Sequence, residues 1–303
     1  MTPAAGAVVM GTSIVSTGLS LDRHETFSQA LLALAAGGWI VLAGTLAFRA
    51  GRQPQRVRLE ARSPAALAAV AATAVLGARL ALLGWRWAGI ATLAIAIGLW
   101  LILLTPILRN WATPTVGASL MLAVSTESLG VLAAALSTRE RANWLLYGAY
   151  GPFLLGLAAY GFALARFDVR QLLTGRGDQW ITGGALAISA LASGQVTLAA
   201  HNLHQMLGLW GALKAASIVL WVLAIAWLPV LAAAEAVRPR LDYDLRRWST
   251  VFPVGMYAAC SFAVGAVARS RPITDFAKIW VWVSVALWLV VSAAMLGRLR
   301  RSA

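Results

Sequence analysis

The stretch that decides the fold is residues 87–108, WAGIATLAIAIGLWLILLTPIL, together with the next apolar run, residues 114–136, PTVGASLMLAVSTESLGVLAAAL. The first run carries no charged side chain, and the second carries only Glu127. A helix needs about 20 apolar residues to cross the hydrocarbon core of a bilayer. Neither run shows the alternation of polar and apolar residues that a strand of a membrane barrel requires. The pair therefore predicts two adjacent transmembrane helices.

Apolar runs of the same kind extend in both directions along the chain. Hydrophobic residues make up 60% of the 303 residues and charged residues only 12%, which excludes a soluble globular domain of this length. The runs cover residues 4–20, 27–48, 64–83, 87–108, 114–136, 142–165, 180–200, 206–234, 248–269 and 276–297. We predict an all-α integral membrane protein with ten transmembrane helices, in which residues 1–303 form a single domain. The first run has no basic residue before it and is expected to remain as a helix.

The arginines are distributed unevenly between the two predicted sides of the membrane. The net charge of +14 arises from 25 Lys and Arg residues, only two of which are lysines. If the helices alternate in direction, 16 arginines lie in the even-numbered loops and after the last helix, and seven lie on the opposite side. Because short cytoplasmic loops are enriched in positive residues, both termini are expected in the cytoplasm, with the protein in the cell (inner) membrane. We interpret the charge as a topology signal and expect no nucleic-acid partner.

Alternate predicted helices differ in composition. The odd-numbered runs contain 18 Ser or Thr residues and the even-numbered runs 7, whereas ten of the 14 tryptophans lie in the even-numbered runs. Large rings favour contact with lipid, while small and hydroxyl side chains favour contact with protein or water. The pattern predicts five helical hairpins whose small, polar inner helices surround a central pore. Ordinary close packing of helices, without a water-filled path, would explain the same enrichment.

Two ionisable side chains lie within predicted spans. Glu127 is deep in the fifth, and a charge at that depth costs at least about 2.5 kcal/mol, so it is expected to face a partner or water. It is either a proton-coupling or pore-lining group or a structural carboxyl. Lys214 lies near the start of the eighth helix, from where its ammonium group can reach the interface.

The remaining polar motifs give little support for an enzyme. His201 and His204 have a spacing that can bind a metal, but a site needs three or four ligands and none is nearby in sequence. Asp242 and Asp244 lie beside arginines and favour a solvated ion-pair loop. Residues 175–178, GRGD, predict a turn without the context of a phosphate-binding loop. We predict no metal, no cofactor and no catalytic residue; a membrane-embedded redox or lipid-modifying enzyme using these histidines or aspartates is the alternative.

A break in the backbone is predicted within the ninth helix. Pro253 removes a helical hydrogen-bond donor, and Gly255 follows it closely. Kinked helices at membrane depth tend to line cavities, but a proline in the first turn of a helix is simply tolerated. The outcome depends on whether this helix begins near Arg246 or near Phe252.

Three segments resemble the tellurite-resistance/C4-dicarboxylate transporter family, which also includes the slow-type anion channels of plant guard cells. They are Trp248–Tyr257, WSTVFPVGMY; Val9–Ser16, VMGTSIVS; and Pro114–Gly117, PTVG. The resemblance covers essentially the whole chain and is most specific around Phe252, Pro253 and Gly255. It implies ten helices as five hairpins around a quasi-fivefold pore, assembly as a homotrimer with one pore per protomer, and anions as the substrate. It also implies that the ring of Phe252 plugs the pore.

These observations together predict an anion channel or transporter in the cell membrane. Its partners are small anions, membrane lipids and two further copies of the chain. Its substrates are small inorganic anions, among them chloride, nitrate, sulfite and tellurite, or C4-dicarboxylates. The residues expected at the path are the gate, Phe252; the helix break, Pro253 and Gly255; and the polar positions Thr12, Ser16, Ser125, Glu127 and Ser193.

Overall fold

A computed structural model describes residues 5–240 and 243–302 of the chain. Within these ranges the regular secondary structure is helical, apart from one isolated bridge between Thr115 and Phe167. Ten long helices correspond to the ten apolar runs: α1 (Gly6–Leu21), α2 (Glu25–Arg52), α3 (Ala68–Leu82), α4 (Arg86–Arg109), α5 (Met121–Glu140), α6 (Asn143–Leu164), α7 (Ile181–Asn202), α8 (Trp210–Val237), α9 (Trp248–Ala268) and α10 (Arg271–Ser302). The predicted all-helical class is therefore confirmed.

Nine of the helices in the described ranges are long and apolar enough to cross a membrane. The tenth, α1, has 16 described residues beginning at Gly6, and residues 1–4 lie outside the described part of the chain. These helices support a multi-pass membrane protein. The number of crossings predicted from the sequence, ten, stays a prediction.

The loop between α2 and α3 contains a short helix that the apolar runs do not predict. It spans Pro54–Glu60 and begins with a proline at its first position, where the missing N–H group has no helical partner to lose. The Arg49 guanidinium lies 2.6 Å from the Glu60 carboxylate, across the sharp turn between α2 and this helix. The proline favours the start of a new helix directly after α2, and the ion pair joins the end of α2 to the end of this helix.

The odd-numbered and even-numbered helices differ sharply in burial. Between 72% and 94% of the residues in the apolar windows of α3, α5, α7 and α9 are buried, against 17% to 33% in those of the even-numbered helices. Thirteen of the 16 residues of α1 are buried as well. We therefore call α1, α3, α5, α7 and α9 the inner helices and the other five the outer helices.

The inner helices contact one another in a closed cycle. In the order α1, α3, α5, α7 and α9, each contacts the next, and α9 contacts α1. Each inner helix also contacts the outer helix that follows it in the chain. The small residues of the inner helices permit this close approach; for example, a Cβ atom added to Gly184 of α7 would lie 2.7 Å from the ring of Pro253 in α9.

Tryptophans of the outer helices connect neighbouring pairs of inner and outer helices. The indole N–H groups of Trp39, Trp100 and Trp288 donate to the hydroxyl groups of threonines on inner helices, at 2.9 to 3.0 Å. The acceptors are Thr73, Thr126 and Thr12 respectively. Each bond joins an outer helix to the inner helix of the next pair, with α10 closing on α1. The large rings thus present their polar edges to the protein interior as well as their apolar faces outward.

Candidate functional site

A narrow cavity lies among all five inner helices. Its volume is about 30 Å³, enough for one or two water-sized particles. Four helices contribute side chains at positions i, i+3 and i+7, and α9 contributes two: Ile14, Thr17 and Leu21; Val75, Ala78 and Leu82; Ser128, Val131 and Ala135; Ile188, Leu191 and Gln195; Met256 and Ala259. This spacing marks one face of each helix. The cavity therefore lies on the axis of the cycle, and we call it the axial cavity.

Phe252 belongs to the same face of α9 as the lining residues Met256 and Ala259. It precedes Met256 by four residues, which places it one helical turn, about 6 Å, nearer the start of the helix. Its ring is fully buried, with 0% exposure. Phe252 therefore lies on the axis-facing side of α9, just beyond the end of the axial cavity.

The corresponding position of every other inner helix is also apolar. Four residues before Ile14, Val75, Ser128 and Ile188, the chain has one buried residue on each helix. Together with Phe252 these residues form what we call the apolar layer: Met10, Ala71, Val124, Gly184 and Phe252. Phe252 carries the only ring among them. All five residues of this layer are apolar and buried.

Pro253 and Gly255 position α9 between its two neighbours. The α-helix begins at Trp248, after a 3₁₀ turn at Leu245–Arg247, so Pro253 is an interior residue. It leaves the carbonyl oxygen of Ser249 without its helical donor. The proline ring packs against Gly184 of α7, and a Cβ atom at Gly255 would lie 2.6 Å from the Ile14 side chain of α1. Both residues thus set how closely the helix that carries Phe252 approaches the rest of the cycle.

Residues 1–296 match a protein family described as "Voltage-dependent anion channel". The chain belongs to this family. The match covers all ten long helices except the last turns of α10. It is the family that the segments around Phe252 resemble, so the family predicted from the sequence is confirmed.

Two further matches are membrane proteins from two strains of Mycobacterium tuberculosis. Both carry the description "uncharacterized membrane protein", and each is 30% identical to this chain over 125 residues. The matched segment is 40% of this chain, and the chain spans 63% of the length of these curated relatives. They agree with a membrane location.

The sequence predicts five polar side chains at the path. The hydroxyl groups of three of them form hydrogen bonds with outer helices. Thr12 accepts the indole N–H of Trp288 on α10, and Ser193 lies 2.8 Å from the Ser217 hydroxyl on α8. Ser16 and Ser28 of α2 exchange hydrogen bonds, each hydroxyl donating to the other's carbonyl oxygen at 2.7 Å.

A fourth predicted hydroxyl, that of Ser125, is buried and donates to the Leu122 carbonyl oxygen of its own helix at 3.2 Å. The polar residues that line the axial cavity are instead Thr17, Ser128 and Gln195. Each is the single polar lining residue of its helix, among apolar neighbours on the same face, so no sequence pattern identifies the axial face before the packing is known.

Glu127 lies between three helices of the described structure. Its carboxyl group is fully buried; Oε1 accepts a 2.6 Å hydrogen bond from the Ser189 hydroxyl of α7, and Oε2 has no partner among the described residues. Gly156 of α6 makes room for it, since a Cβ atom there would lie 2.2 Å from the Glu127 Cγ. A carboxyl group in this setting is a candidate for a proton-binding group, as well as for a structural one.

The other polar motifs lie toward the ends of the helices. The rings of His201 and Trp210 pack with centroids 4.7 Å apart, and His204 follows in a turn with a φ of 54°. Lys214 is partly exposed near the start of α8. These groups lie at the end of α7 and the start of α8 and are not among the residues that line the axial cavity.

The loop before α9 is held by ion pairs. Asp244 accepts hydrogen bonds from the backbone N–H and the guanidinium of Arg246, and the guanidinium bond in particular lowers the pKa of this carboxyl group. Asp242 lies outside the described residues. Arg247 donates to Glu235 at the end of α8 at 2.8 Å, and the 175–178 turn packs nearby through Gly177, whose φ is 119°. This loop fixes the end of α9 nearest to Phe252.

Proposed function

We propose that this protein conducts small anions along the axis of its five inner helices and that Phe252 closes the path. The observation that carries the proposal is the axial cavity lined by all five inner helices, with the ring of Phe252 one turn beyond its end. Membership of an anion channel family supplies the class of substrate. In this proposal ten crossings form five hairpins around the path.

The path binds its substrates weakly. The axial cavity offers the side-chain amide of Gln195 but no carboxylate and no buried cation among its lining residues. Weak, uncharged coordination lets an ion leave as readily as it enters, which throughput requires. Chloride, nitrate, sulfite, tellurite and C4-dicarboxylates are the substrates to compare, and Glu127 is the group through which a proton would couple to flux.

The proposed assembly is a homotrimer with one path in each protomer. The outer helices expose large apolar side chains such as Phe48, Ile102 and Leu289, which supports contact with lipid and with neighbouring protomers. The path lies inside one chain, so each protomer conducts independently.

Anion flux out of liposomes tests the proposed function. We expect liposomes containing the purified protein to release a potassium salt in the presence of valinomycin faster than protein-free liposomes, because the anion then limits the rate. Replacing chloride in turn by nitrate, sulfite and a C4-dicarboxylate gives the substrate order. The proposal would be contradicted if neither the parent nor a Phe252→Ala variant released any of these anions faster than protein-free liposomes do.

Single-cysteine labelling tests the proposed orientation, with both termini in the cytoplasm. The native Cys260 is fully buried, so an exposed cysteine introduced elsewhere reports its own side. We expect Asn202→Cys, at the end of α7, to react with a membrane-impermeant maleimide on intact cells, and Gln53→Cys, after α2, to react only after permeabilisation. Neither substitution changes a charge. The opposite pattern would invert the orientation, and equal labelling would contradict the helix count.

A further inference from the structure

The axial cavity ends in a layer of four residues, only one of which is polar. These residues occupy the i+7 positions of four inner helices: Leu21, Leu82, Ala135 and Gln195. The layer lies at the opposite end of the cavity from Phe252, since each of the four follows the first lining residue of its helix by seven positions. An ion that enters from this end meets Gln195 first among the polar lining groups.

The side-chain amide of Gln195 has no hydrogen-bond partner among the described residues, although it lines the axial cavity. The two hydroxyl groups in the same cavity are already engaged: Thr17 donates to the Ser13 carbonyl oxygen at 2.9 Å and Ser128 to the Val124 carbonyl oxygen at 2.7 Å. A primary amide carries two N–H donors, and Gln195 is only partly buried, so both donors remain accessible. The amide is therefore free to bind an occupant of the cavity.

Arg139 places a positive charge over the same end of the cavity. It follows the lining residue Ala135 by four positions, so it lies on the same face of α5, and helical side chains lean back toward the start of the helix. Its Nη2 donates to the carbonyl oxygen of Leu82, another lining residue, at 2.7 Å. The adjacent Glu140 is paired with Arg86 at 2.7 Å, and Arg139 has no carboxylate partner among the described residues.

We propose that Arg139 and Gln195 form an anion-binding site at this mouth of the path, which holds one small, singly charged inorganic anion before it reaches the apolar layer. This proposal rests on the proposed function and narrows its substrates to small, singly charged inorganic anions. Arg139 attracts the anion and rejects cations, and the Gln195 amide replaces part of its hydration shell. A cavity of about 30 Å³ matches one small inorganic ion and is too small for a C4-dicarboxylate.

Binding of radiolabelled chloride to the detergent-purified protein tests the site without any requirement for flux. We expect Arg139→Gln and Gln195→Leu each to weaken chloride binding roughly tenfold, the effect of losing one hydrogen bond to a charged group. Arg271→Gln and Gln205→Leu make the same chemical changes away from the cavity and should bind like the parent. Nitrate should compete with chloride, and succinate should not.

Flux in a Phe252→Ala background gives the second measurement. Arg139→Gln should lower the chloride flux several-fold at low ionic strength, and the difference should shrink at high salt because exposed charges are screened. Arg139→Lys keeps the charge and should retain most of the flux, which separates a binding role from a folding defect. Gel filtration of each variant checks that it is assembled.

The two measurements distinguish failure of the site from failure of conduction. No chloride binding by the parent, or unchanged binding in both variants, overturns the site whatever the flux. Effective competition by succinate overturns the substrate class. Binding that depends on Arg139 and Gln195, without anion flux in the Phe252→Ala background, supports the site and contradicts the proposed conduction.

Discussion

Replacing Phe252 by alanine is expected to open the path and to raise chloride and nitrate flux many-fold over the parent protein. The ring is the only one in the apolar layer, whose other members are Met10, Ala71, Val124 and Gly184. Removing it replaces the largest side chain of the constriction by a methyl group, so water and ions can cross. Phe252→Leu keeps part of the bulk and should give an intermediate rate. Liposome flux or single-channel recording measures both.

A purely structural role for Phe252 predicts a different result. Truncating a buried phenylalanine in a packed core costs about 3 to 5 kcal/mol of stability, and it leaves a closed cavity rather than an open path. Phe153 on α6 provides the matched control, because it is also buried but lies on an outer helix. Phe153→Ala should lower thermal stability without raising flux. If the Phe252→Ala protein assembles well and still has the low flux of the parent, Phe252 is not the gate.

The helices and their division into two classes were predictable from the sequence because both depend on local composition. Apolar runs of about 20 residues fix where helices form in a membrane. The concentration of Ser and Thr in alternate runs identified the inner helices, which the structure buries. The interpretation of the tryptophans was incomplete, since Trp39, Trp100 and Trp288 also donate to inner threonines. A hydrogen bond to a partner up to 276 positions away leaves no local pattern.

The lining of the axial cavity was not predictable for the same reason. Hydroxyl groups on an inner helix face the axis, an outer helix or another inner helix, as Ser189 does, and the sequence does not distinguish these cases. Ser16 contacts α2 whereas Thr17, its neighbour, lines the cavity. Arg79, one of the seven arginines that the sequence places on the side opposite the termini, shows the same limit: it is 1% exposed and donates to Ser28 and Glu25. Only the packing assigns each face.

The packing of Glu127 against α6 gives the second large effect that we expect. Replacing Gly156 by alanine would place a Cβ atom 2.2 Å from the Glu127 Cγ, and overpacking of this kind costs about 1 to 3 kcal/mol. In a helix with free space the same change is favourable by up to about 1 kcal/mol. Gly148→Ala on the same helix is the control, because a Cβ atom there meets nothing within 4 Å. The two alanine variants should therefore shift thermal stability in opposite directions.

A double-mutant cycle identifies Glu127 as the cause of that cost. Glu127→Ala removes the Cγ atom, so Gly156→Ala should cost little in this background, and the two substitutions should show a coupling energy. Glu127→Gln keeps the Cγ atom while it removes the ionisable group, so Gly156→Ala should remain as costly there as in the parent. Thermal unfolding of the parent, the three single variants and the two double variants in detergent measures these couplings. If Gly156→Ala costs the same stability in the parent, Glu127→Ala and Glu127→Gln backgrounds, the Glu127 side chain does not pack against Gly156. The carboxyl group proposed to couple a proton to anion flux would then lie elsewhere as well.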